Sequence, residues 1–95
     1  MSNKFDAQLH LLRSTGRYLG ASNLKAQHDV EGARFNVFAA IEAKDYDRAR
    51  TWLRSLEMAI ISATADRDDY NTNQMSKAAF EAINEIRDGL REKED

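Results

Sequence analysis

Residues 45–66 read DYDRARTWLRSLEMAIISATAD, and this stretch decides the fold. Tyr46, Ala49, Trp52, Leu53, Leu56, Ala59, Ile60 and Ala63 recur at steps of three and four, which lays them on one broad face of an α-helix. Asp45 stands where an N-cap carboxylate can accept a bond from the first free amides, and Asp47 complements the helix dipole. Met58 and Ile61 fall off the apolar face, so each is either incidental or turned toward another subunit.

Working outward, the residues before Asp45 carry a second helix over about 24–43. Ala26, Val30, Ala33, Val37, Ala40 and Ile41 share one face, and the small alanines admit a close partner. Leu24, Phe35 and Phe38 lie on a different face, so this helix is contacted from more than one direction. The two helices predict a central hairpin over 24–66. Upstream, Phe5, Leu9, Leu12, Gly16 and Leu19 follow 4-3-4-3 spacing and predict a helix over about 3–19, with Leu11 and Tyr18 on a narrower apolar flank. Ser22 or Asn23 restarts the chain as an N-cap. Downstream, the turn-forming residues 66–73 read as a loop, followed by a helix over about 74–93 with Met75, Ala79, Ala82, Ile83, Ile86 and Leu90 inward. The expectation is all-α: a small antiparallel bundle of about four helices in one domain, 1–95, its acidic tail frayed from about 92.

Composition supports this. The chain has 95 residues, 32% charged and 42% hydrophobic, with four glycines, no proline and no cysteine. Turn-rich β architectures are poor candidates without proline, and disulfides, thiol nucleophiles and Cys-ligated metals are excluded outright. No apolar run reaches the ~18–20 residues of a membrane span, and with no signal segment the expected compartment is the cytoplasm. Net charge is −2, but residues 1–50 carry +2 and residues 51–95 carry −4. Such asymmetry suits a polarised surface or head-to-tail association.

The familiar catalytic patterns fail. His10 and His28 are far apart, and His28–Glu31 is only a weak ligand pair. Asp66-x-Asp68-x-Tyr70 starts like a calcium loop, but Asn71 replaces its glycine and Lys77 its bidentate glutamate. No Gly-x-Ser-x-Gly elbow and no phosphate loop is present. The reading is therefore non-enzymatic, with no catalytic residue, metal or cofactor expected. What remains is basic: Arg13 and Arg17 beside Tyr18, and Arg50 and Arg54 at i, i+4. Guanidinium forks suit phosphate oxygens and an aromatic can stack on a base. Duplex nucleic acid is not expected, because no helix is densely basic.

Thr51-x-Leu53, Met58 and the run Ala63-Thr64-Ala65-Asp66-Arg67 are similar to the second helix of the phage anti-CBASS helical hairpin family. The likeness spans residues 51–67 alone, and it implies an oligomer that sequesters a cyclic nucleotide. The leading expectation from the residues themselves is a homo-oligomeric interaction protein, a bacterial or phage accessory inhibitor or adaptor of a larger protein. Its contacts would be Leu11, Tyr18, Phe35, Phe38, Met58 and Ile61, with Arg13 and Arg17 at the rim. The alternatives are capture of a small nucleotide in a pocket between subunits by Arg13, Arg17, Tyr18, Arg50 and Arg54, and single-stranded nucleic-acid binding by the basic N-terminal half.

Overall fold

The computed structural model describes residues 4–94, and all of its regular structure is helical. Four helices follow in order: α1 Asp6–Gly20, α2 Leu24–Glu42, α3 Tyr46–Thr64 and α4 Tyr70–Glu94. Short connections turn each helix back on the last. α1 and α3 both pack on α2 and α4, so the helices stand in a ring in chain order. The result is an antiparallel four-helix bundle, 40 × 23 × 21 Å.

The apolar stripes read from the sequence supply the core. Phe5, Leu9, Leu12 and Leu19 are buried from α1 and its approach; Ala26, Val30, Ala33, Val37, Ala40 and Ile41 from α2. Ala49, Leu53, Leu56 and Ile60 come from α3, and Ala79, Ala82, Ile83, Ile86 and Leu90 from α4. Burial of a Leu or Ile side chain contributes roughly 1.5–3 kcal/mol, so these stripes hold the fold together. Two glycines let neighbours close in. A β-carbon on Gly16 would lie 3.1–3.3 Å from Glu31 and Val30 of α2, and one on Gly89 would strike the Phe5 ring at 2.4 Å.

The caps explain where helices start. Asn23 accepts a bond from the Ala26 amide at 3.1 Å, and Asp45 accepts one from the Arg48 amide at 3.2 Å. Between α2 and α3 the reversal is a Schellman motif: the Asp45 amide bonds the Ala40 carbonyl and the Lys44 amide bonds the Ile41 carbonyl. Lys44 takes the left-handed conformation there, with φ at 59°.

Three boundaries differ from expectation by two residues or more. The expected start at Asn3 lies outside the described residues, and α1 begins at Asp6. α3 ends at Thr64 rather than 66. α4 begins at Tyr70, four residues before the expected start. The cause is Asp69, whose carboxylate accepts the Thr72 amide at 2.9 Å and the Thr72 hydroxyl at 2.8 Å. That cap converts half of the expected loop into a first helical turn. The bonds from Thr72, with Arg67 nearby at 3.6 Å, hold the Asp69 carboxyl below its ordinary pKa. Thr72 itself is fully buried, a core position that its polar side chain conceals from a hydrophobicity reading.

Candidate functional site: two grooves flanking α3

α3 presents two unlike grooves. On its α2 side an open groove of about 520 Å³ runs between the helices. Gly32 and Ala33 of α2 and Ala59 of α3 line it, with Trp52 and Met58 beside them and His28, Asn36, Ser55 and Ser62 adding polar groups. Phe35, one turn beyond Gly32 on α2, leaves 61% of its surface exposed, and Met58 leaves 56%. A groove with small residues in its lining and exposed large side chains beside it offers both a hole and something to fill one.

On the α4 side the chemistry inverts. A pocket of about 530 Å³ is lined by Arg50, Arg54 and Glu57 of α3 with Arg87 and Arg91 of α4. Each helix contributes two arginines at i, i+4, and the antiparallel packing sets one pair opposite the other. Arg50 pairs with Asp47, one turn back on its own helix. Arg87 reaches Glu57 at 3.6 Å and donates to the Asn84 side-chain oxygen at 3.1 Å. Arg54 and Arg91 are exposed and make no ion pair among the described residues.

The residues expected to form a single phosphate site are not gathered within one chain. Arg50 and Arg54 stand together, but Arg13 and Arg17 are on α1, which lies diagonally across the ring from α3. Arg13 acts instead on Arg34 of α2, whose pKa is lowered by burial first and by that neighbouring charge second. Tyr18 faces α4. Its hydroxyl lies 3.3 Å from the Thr72 hydroxyl, and Arg67 covers its ring at 5.5 Å. The expected contact residues also separate. Leu11 and Phe38 pack against the core, Met58 lines the α2–α3 groove, and Ile61 extends the Arg50–Arg54–Glu57 stripe on the α4 side.

Arg87 and Arg91 are the site residues the sequence reading missed. Their i, i+4 spacing was legible, but nothing within α4 shows what stands opposite them. Only the packing of α4 on α3 turns four separate arginines into one lining.

The chain matches no known family model, no curated protein and no solved structure. Among the described residues no group of His, Asp and Glu is arranged to hold a metal ion, and no helix is long and apolar enough to cross a membrane.

Proposed function

We propose that this chain is a non-enzymatic helical binding protein that pairs with a second copy of itself through the α2–α3 groove. The observation that carries the reading is Gly32. It sits in the middle of α2, where glycine costs ~0.5–1 kcal/mol relative to alanine. A β-carbon there would meet nothing within 4 Å, whereas the other three glycines each have a neighbour pressed against that space. The fold of one chain gives no reason for a glycine at this place; close approach of another chain does.

The occupant is a second copy because one face carries both halves of the fit. An isologous interface needs a surface complementary to itself. Here Met58 lines the groove with Gly32, Ala33 and Ala59, and Phe35 is exposed one turn from Gly32 on α2. Size agrees as well. A side of a molecule 40 × 23 × 21 Å presents on the order of 800 Å², the share each partner gives to a standard interface. The reading places the protein in the cytoplasm, where a cysteine-free chain needs no oxidising compartment. A role as accessory inhibitor or adaptor would follow from the paired form presenting its remaining surfaces to a larger protein.

Sedimentation equilibrium tests this. The wild-type chain is expected to dimerise at micromolar concentration, and Met58→Asp to remain a helical monomer. A wild-type chain that stays monomeric at high micromolar concentration overturns the reading.

A further inference from the structure

The α3–α4 pocket is independent of self-association and has its own chemistry. Four guanidinium groups and one carboxylate line a single recess, in a chain whose net charge is −2 and whose second half is net −4. Like charges at i, i+4 repel on one helix, and here two such pairs also confront each other. Glu57 is engaged by Arg87, and Asp47 by Arg50. That leaves Arg54 and Arg91, one from each helix, without an anion among the described residues. Charge of one sign gathered in this way is relieved by an anion in the recess.

The lining also selects the kind of anion. All four cations are arginine, although the chain has five lysines. A planar fork bonds two oxygens of one phosphoryl group at once, which an ammonium cannot do. Successive arginines on one helix are ~6 Å apart along its axis, so the recess grips an extended anion better than a compact one. No aromatic side chain lines it, so nothing there stacks on a base. Its volume, about 530 Å³, is that of a small-molecule site.

We propose that the groove between α3 and α4 is a binding site for a small polyphosphate, held through its phosphoryl oxygens by Arg50, Arg54, Arg87 and Arg91.

Isothermal titration with inorganic tripolyphosphate, ATP, cyclic AMP and adenosine tests the assignment on the full chain. Saturable binding of tripolyphosphate is expected, weakening as salt rises. ATP should bind within a few-fold of it, cyclic AMP at least tenfold more weakly, and adenosine not at all. The double variant Arg54→Gln/Arg91→Gln should lose at least tenfold in affinity for tripolyphosphate. Arg54→Lys/Arg91→Lys should fall between, because charge returns without the fork. Both residues are exposed, and far-UV circular dichroism will confirm that the variants remain helical. Arg13→Gln/Arg17→Gln, on the opposite side of the bundle, should bind as the wild type does. The proposal is overturned by an absence of saturable tripolyphosphate binding, by equal losses in the two glutamine variants, or by tighter binding of cyclic AMP or adenosine than of tripolyphosphate. Sedimentation of the same samples reads self-association separately, so either proposal can fail alone.

Discussion

The two grooves beside α3 are nearly equal in volume and opposite in kind. One is open and lined by Gly32, Ala33 and Ala59; the other is lined by four arginines and one glutamate. The same helix borders both, so helix packing alone does not decide what a groove recruits. Residues outside the buried stripe decide it. Met58 and Arg54, four residues apart on α3, line different grooves. The apolar groove asks for shape and the basic one for charge, so their responses to salt and to single substitutions should diverge.

The most damaging way to probe that contrast is to remove what the grooves share. Leu56 is fully buried on α3, and Leu56→Ala is expected to destabilise the chain by ~2–5 kcal/mol, read from urea denaturation. Both binding activities should weaken together as the folded population falls. A proposed binding that survives unchanged where the folded population has fallen does not depend on the folded bundle. Smaller, and directed at one groove, is Gly32→Ala. Helix propensity should raise stability by ~0.5–1 kcal/mol under dilute, monomeric conditions, while the added methyl weakens self-association. A gain in both would remove the case for a partner at Gly32. The matching probe of the other groove is Arg54→Gln/Arg91→Gln without ligand. Loss of like-charge repulsion should stabilise by a few tenths of a kcal/mol at low salt and by less at high salt. Destabilisation of the bundle would show those arginines to be structural.

The smallest expected effect lies away from both grooves. Asp69 has a depressed pKa in the folded chain, so its contribution is present above the unfolded value of ~3.9 and fades as pH falls through the folded one. Asn also caps helices well, so Asp69→Asn should alter stability little near pH 7. It should flatten the loss of stability below about pH 4, measured by thermal unfolding across pH. Unchanged acid sensitivity would place the titration elsewhere.

How much of this was legible in the sequence depends on the distance over which each feature is set. The core stripes are local periodicities, and every residue assigned to the α2 stripe is buried. The cap at Asp45 was equally plain and that of α2 was narrowed to Ser22 or Asn23, because a cap is a matter of three residues. Asp69 obeys the same rule, but it stands among so many turn formers that its role was hidden until Thr72 was seen to bond it. The sites were less legible. Arg50 and Arg54 could be paired along one helix, whereas their meeting with Arg87 and Arg91 depends on which helices become neighbours. Leu11 and Phe38 looked available for a partner because a stripe shows only which way a side chain leans. Their packing against the core is a fact of the assembled bundle.

The reversal at Lys44 bears on where this chain can be cut or lengthened. Asp45 closes α2 with its amide and opens α3 with its carboxylate, so one residue serves two helices. Lys44 before it holds a left-handed conformation that costs a non-glycine residue ~1–2 kcal/mol. An extra residue here would undo both helix ends at once. The connection after α3 is more permissive: Ala65, Asp66 and Asp68 are exposed, and its backbone tie is one bond from the Arg67 amide to the Thr64 carbonyl, with the Arg67 side chain over Tyr18 and 3.4 Å from the Ser22 hydroxyl. A protease, a fused tag or a circular permutation should therefore be accepted at residues 65–68 and refused at 43–45.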